Sequence, residues 1–341
     1  MVFAAGLVWL LEAGALPVVP NAQAFAKTRW WTVPVYGVLW VSMLVLRSSR
    51  WYLLLAPIHR VPLRRALAVG LIGYGAISLL PFRMGEVVRP ALIRKKGQLS
   101  FLAATGTVGA ERVIDGLVLS VTLLVALLFS HPVDPLPDHV GRLPIPAALV
   151  RDAAYLAASF FATLCLAMTI FYRWRDFARR ATERVVGLLS ARAATWLANA
   201  VERLADGLCF LPRWRYTAPF LALTAVYWFL FLCGAWILMW GAGIEAPSLL
   251  ESTVIMGVLA LAVVPPSAPG FFGAFQISVY CGMAMFYPEA EVMGVGSAFV
   301  FLIYLLQLCL TLMVGGVALA VEGLSPSEAL TVEAAPAGEV G

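Results

Sequence analysis

Six stretches of this sequence, residues 2–20, 31–47, 101–130, 147–172, 216–243 and 291–321, are almost entirely apolar. A helix that crosses the roughly 30 Å hydrocarbon core of a bilayer needs about 20 apolar residues. Within lipid every backbone polar group must be satisfied internally, so segments of this kind span as helices unless they close a barrel. The alternating pattern of a barrel is absent. Composition agrees: 62% of residues are hydrophobic and 13% charged, against about 25% charged in a soluble domain. The expected fold class is an all-α polytopic membrane protein with about six full transmembrane helices.

Two further apolar segments, residues 66–96 and 249–288, do not fit as simple spans. Each runs helix, then a Pro/Gly break, then helix. Charge distribution orients the rest. All 24 Lys and Arg residues precede residue 216. Segment 47–65 carries five Arg and no acid, and segment 173–215 carries nine Arg against four acids. Basic loops stay on the cytoplasmic side. Both segments are therefore expected inside, together with Arg94, Lys95 and Lys96, while the Pro-rich loop 131–146 fits the outside. The path closes when 66–96 and 249–288 are re-entrant helical hairpins entering from opposite faces. If both cross instead, segment 173–215 falls outside, against its charge. Opposed broken helices that meet near the midplane are a recurrent transporter device.

The expected domain organisation is one transmembrane unit over residues 1–321, followed by a disordered acidic tail over 322–341. Both termini are placed inside. No Lys or Arg precedes Lys27, so the first span lacks the basic start of a cleaved signal peptide. Within 173–215, Leu197, Val201, Leu204 and Leu208 recur at helical spacing and predict an amphipathic surface helix. A plain positive-inside connector explains the same segment equally well.

Two charged clusters interrupt the apolar sequence. The first is Pro81-Phe82-Arg83-Met84-Gly85-Glu86-Val87-Val88-Arg89-Pro90, and the second is Glu111, Arg112 and Asp115. Ionised groups at membrane depth cost about 2.5–3.5 kcal/mol each on insertion scales and usually mark function. On one helix Arg83, Glu86 and Arg89 follow at i, i+3 and i+6, so Glu86 pairs with either Arg. Gly85 leaves room for a headgroup or another backbone. The clusters together hold three Arg and three acids, a neutral set that pairs at least cost. The planar fork of Arg suits phosphate. The plain alternative is that these charges anchor helix ends at the interface.

In the second broken segment, Pro269, Gly270, Gly273 and Gln276 surround the break. Bare N–H groups at a helix start there suit an anion, and a tight turn explains the same residues. The five cysteines and three histidines show no metal spacing. No nucleotide loop and no hydrolase motif occurs. No cofactor is expected, and neither nucleic-acid binding nor intrinsic ATPase activity.

Four pieces in order, Arg47-x-x-Arg50-Trp51, Pro81-x-Arg83-x-Gly85-Glu86-x-x-Arg89, Glu111-Arg112-x-x-Asp115 and Pro266-x-x-Pro269-Gly270-x-x-Gly273-x-Phe275, resemble the lysylphosphatidylglycerol synthase transmembrane-region family of flippase-like membrane proteins. Order and spacing agree over roughly residues 35–320. The family pattern often carries an acid where Gln276 stands. The resemblance implies a polytopic protein of the bacterial or archaeal cytoplasmic membrane, linked to moving modified phospholipids or lipid-linked sugars between leaflets. Fused members add a soluble aminoacyl-transfer domain, which this sequence is not expected to carry. The expected function is a lipid flippase, not an enzyme. Its expected substrate-binding residues are Arg83, Gly85, Glu86, Arg89, Glu111, Arg112, Asp115, Pro269, Gly270, Gly273 and Gln276. A membrane-embedded transferase acting on a polyprenyl lipid and a non-catalytic partner of a separate lipid synthase are the alternatives. Expected partners are a phospholipid or lipid-linked substrate, a separate lipid-modifying enzyme and further copies of the chain.

Overall fold

A computed structural model describes residues 16–17, 19–80, 83, 85–94, 99–187, 190–265 and 268–324. Residues 2–15 and 18 of the expected first span, residues 81 and 266–267 of the two expected breaks, Lys95, Lys96 and most of the acidic tail lie outside them. Among the described residues the chain is helical apart from one two-stranded hairpin, His139–Val140 with Leu143–Pro144, in the loop that was expected outside.

Five helical segments are long and apolar enough to cross a membrane: Thr32–Leu55, Phe101–Phe129, Ala147–Arg173, Trp214–Ala242 and Val295–Glu322. The first comprises α1 (Thr32–Ser49) and α2 (Trp51–Leu55), joined through Arg50, which keeps helical dihedrals. It therefore continues past residue 47, where the span expected over 31–47 ends. The apolar run Trp51-Tyr52-Leu53-Leu54-Leu55 extends the helix beyond two arginines, so Arg47 and Arg50 are helix residues and not part of a basic loop. Arg50 is wholly buried.

Helix α3 (Leu63–Leu79) ends where Leu80 turns extended, and α4 (Gly85–Ile93) folds back along it. The close approaches fix the register. A Cβ on Gly85 would stand 2.1 Å from the Ile77 backbone nitrogen, and one on Gly73 2.2 Å from Arg89 Cγ. Residue 77 thus faces 85 and 73 faces 89, an antiparallel pair with Gly85 against backbone. This settles one of the two roles open to Gly85: its missing side chain admits the neighbouring helix. Pro90 sits inside α4; its missing N–H leaves one carbonyl of the preceding turn without the usual intrahelical donor.

Helix α5 (Phe101–Phe129) starts on a Ser100 cap and runs through the centre of the molecule, touching α4 and the later hairpin. Helix α6 (Val150–Arg173) packs chiefly on α5. Of its side chains only Val150 and Ala154 are buried among the described residues, which leaves its flanks to lipid. Helices α7 (Arg175–Gly187) and α8 (Ala191–Asp206) form an antiparallel pair, tied by Arg179 to Glu202 at 2.8 Å and Arg175 to Asp206 at 4.0 Å. The expected apolar stripe of this segment is only partly buried. Leu208 is inside, but Leu197 is exposed, and Ala194, Ala198 and Ala205 make the buried contacts. Small side chains let α8 sit close against α5.

Helix α9 (Trp214–Ala242) packs along α1 and ends at Gly243 in a left-handed cap. Helix α10 (Leu249–Ala262) begins with a capping box, Ser248 with Glu251, and packs against α11 (Ala274–Ala284) as a second helical hairpin. Short α12 (Glu289–Met293) leads to α13 (Val295–Glu322), which lies along α3.

Candidate functional site

The two charged clusters meet in the interior, and two further arginines join them. Glu111 of α5 accepts four hydrogen bonds. Its Oε1 takes one from Arg50 Nη2 (3.1 Å), one from Tyr74 Oη (2.9 Å) and one from Arg112 Nη2 (2.6 Å), and its Oε2 takes one from Arg89 Nη2 (2.8 Å). One helical turn later, Asp115 Oδ2 accepts from Arg50 Nη2 (2.6 Å) and Oδ1 from Tyr227 Oη (2.8 Å). Arg112 Nη2 lies 3.4 Å and Arg47 Nη2 3.8 Å from the same Oδ2. Arg50 also donates through Nη1 to Thr224 Oγ1 at 2.6 Å. Arg50, Arg89 and Glu111 have no exposed surface, and Asp115 has 5%.

Aromatic faces take up what the carboxylates leave. Arg89 lies 4.4 Å over Trp51, Arg50 4.5 Å over Tyr227, and Arg47 4.7 Å over Tyr74. A desolvated guanidinium over a ring gains about 2 kcal/mol. Trp51 is itself fixed by donating Nε1–H to Thr107 Oγ1 at 2.9 Å. The Nε groups of Arg47, Arg50, Arg89 and Arg112 are buried without a hydrogen-bond acceptor.

Glu86 pairs with Arg83 and not with Arg89. Arg83 Nε and Nη2 donate to Glu86 Oε1 at 3.0 and 2.8 Å. Arg83 is also not on the helix that was expected to carry all three residues. It precedes α4 and takes a left-handed backbone, φ 56°, which is costly for a residue with a Cβ. That turn sends its Nη1 to the Val263 carbonyl at 2.7 Å, just past the end of α10. Its guanidinium also lies 5.9 Å from the Phe271 ring. One arginine thus ties the start of α4 to the end of α10.

These groups border a cavity of about 660 Å³, lined from every long helix. Arg47, Arg83, Glu86, Arg112 and Asp115 open onto it, with Gln307, Thr311 and Tyr304 as further polar groups. Leu119, Phe161, Phe231, Phe271 and Leu308 are among its apolar walls. Arg89 and Glu111 stand behind this surface and hold it. Of the second break, Gly270 borders the cavity, whereas Pro269, Gly273 and Gln276 do not. Gly270 and Gly273 both have positive φ. Gln276 Oε1 accepts the Gly273 N–H at 2.7 Å. The side chain therefore already occupies a backbone donor that the sequence reading offered to an anion.

The neutral set of six is accordingly incomplete. With Arg47 and Arg50 included, five guanidinium groups face three carboxylates among the described residues, an excess of two positive charges. The signal for the missing pair was present: arginines three apart followed by five more apolar residues lie within a helix. Tyr74 and Tyr227 carried no signal, since a tyrosine in an apolar helix is common and only the fold shows which carboxylate it meets.

Five candidate spans around an arginine–carboxylate centre and a cavity of about 660 Å³ define an integral membrane protein of polytopic α-helical class. The chain belongs to the family of the lysylphosphatidylglycerol synthase TM region, whose model matches residues 1–322. The match supports a membrane-lipid role. No curated protein and no solved structure matches the chain.

Proposed function

We propose that the chain is a lipid transporter that moves a phospholipid or lipid-linked headgroup between leaflets, with no ATP hydrolysis and no bond-making step of its own. The observation that carries this reading is the cavity. It combines apolar walls for acyl or isoprenoid chain with charged groups that open onto it from α1, α4, α5 and the turn before α4. Charges enclosed by membrane helices usually mark a substrate path. Helices α3–α4 and α10–α11 would be the two re-entrant hairpins, entering from opposite faces of a cytoplasmic membrane with both termini inside. Arg83 bridges them, and loss of its bond to Val263 would let them part. Rocking of broken hairpins about a central site is a known route to alternating access.

The test is headgroup translocation in proteoliposomes containing the purified chain, read by external quenching of labelled lipid. Wild-type protein accelerates translocation over empty vesicles, and Arg112→Gln slows it while the protein stays monodisperse. Equal rates in vesicles with and without the protein refute the reading. Turnover of a lipid-linked donor by the purified chain would replace transport by group transfer.

A further inference from the structure

We infer that the cavity selects lipids ending in a dianionic phosphomonoester over zwitterionic and cationic headgroups. This rests on the transport reading above for its lipid, but on the charge count for its chemistry. Each carboxylate is already engaged: Glu86 by Arg83, Glu111 by Arg50, Arg89, Arg112 and Tyr74, and Asp115 by Arg50 and Tyr227. Among the described carboxylates on the cavity wall only Glu86 Oε2 accepts no hydrogen bond, and the charge of Glu86 is already balanced by Arg83 on its other oxygen, so none carries uncompensated negative charge for an ammonium group. The two arginines on the cavity wall next to this core are the ones with spare capacity. Arg47 has no carboxylate within hydrogen-bond distance, its nearest being Asp115 at 3.8 Å. Arg112 contacts the carboxylates through Nη2. Both side chains keep about a fifth of their surface open.

An uncompensated charge enclosed in low dielectric is costly and is tolerated when a partner arrives. A phosphomonoester carries about −1.5 to −2 at neutral pH, which matches the excess of two. A phosphodiester leaves one positive charge over, a zwitterion leaves both, and a cationic headgroup adds to them. Two guanidinium forks from different helices, α1 and α5, also suit the several oxygens of a terminal phosphate. The aliphatic and aromatic walls hold the chain of the same molecule, so a free phosphate gains only part of the contact.

The experiment measures binding of short-chain phosphatidate, phosphatidylglycerol, phosphatidylcholine and lysyl-phosphatidylglycerol to the full chain in nanodiscs, with inorganic phosphate as competitor. Phosphatidate is expected to bind about tenfold tighter than phosphatidylglycerol, the equivalent of one charge-assisted hydrogen bond. Phosphatidylcholine and the lysyl lipid are expected to be weaker again. Arg47→Gln collapses the phosphatidate preference, and Arg47→Lys restores part of it, which a merely misfolded variant does not. The preference also fades as pH falls through the second phosphate ionisation, near 6. Equal binding of all four lipids, or a preference for the lysyl lipid, overturns the inference. Displacement of phosphatidate by inorganic phosphate at matching concentration overturns its lipid part. Translocation of all headgroups alike would refute the selectivity and leave transport standing. Selective binding without translocation would do the reverse.

Discussion

Replacing Glu111 by Gln removes one negative charge and keeps the shape. Four donors converge on this carboxylate, three of them guanidinium groups, and none of its surface is exposed. The amide offers one acceptor oxygen and turns an NH2 group toward donors it cannot satisfy. The excess of positive charge in the core rises from two to three. Removing one member of a buried ion pair costs about 3–5 kcal/mol, because the partner stays behind unpaired. At roughly 2 °C per kcal/mol for a chain of this order of size, the unfolding midpoint falls by about 6–10 °C. Size-exclusion chromatography of heated, detergent-solubilised protein reads the midpoint directly. A double variant with Arg89→Gln provides the second readout. If Glu111 is what holds Arg89, the double variant loses less than the sum of the singles, by about 0.5–3 kcal/mol. A midpoint within about 2 °C of wild type, a shift worth only about 1 kcal/mol, or strict additivity would show that the four hydrogen bonds are not the lock described here.

Three further outcomes follow from single positions. Gly85→Ala places a Cβ 2.1 Å from the Ile77 backbone nitrogen; it should cost about 1–3 kcal/mol or more through displacement of α4, seen as a lower midpoint and reduced yield. Gln276→Ala should cost about 1 kcal/mol by freeing the Gly273 N–H, whereas Gln276→Glu keeps an acceptor at a helix N-terminus and should match or exceed wild type in the same heating assay. Arg83→Gly and Arg83→Ala both remove the tie to Glu86 and Val263. Because φ is 56° there, the glycine variant should be the more stable of the two by about 1 kcal/mol, and the reverse order would contradict that backbone.

How much of this was legible beforehand depended on the distance over which each signal acts. The spans at 101–130, 147–172 and 216–243 were read almost to the residue, because bilayer thickness fixes length and composition fixes identity. The pair Arg83–Glu86 was visible as an i,i+3 spacing. Arg50 with Asp115 spans 65 positions, and nothing local couples them. Arg47 and Arg50 were read as a basic loop because arginine at the end of an apolar run is normally an anchor; the five apolar residues after them argue against a loop. The left-handed backbone at Arg83 was not visible at all, since arginine has no preference for it. The site was therefore half legible: its residues on α4 and α5 were named, and its charge balance was not.

The bond from Arg83 to Val263 ends on a backbone carbonyl, not on a side chain. A helix leaves its last carbonyls without intrahelical donors, so any residue at position 263 that lets α10 stop there presents the same acceptor. Substitutions on that side are silent, and the contact would leave no trace of paired change between positions 83 and 263 in related chains. A scan for interacting positions would therefore pass over this hydrogen bond between the two hairpins, and only changes at Arg83 itself, or in where α10 ends, would expose it.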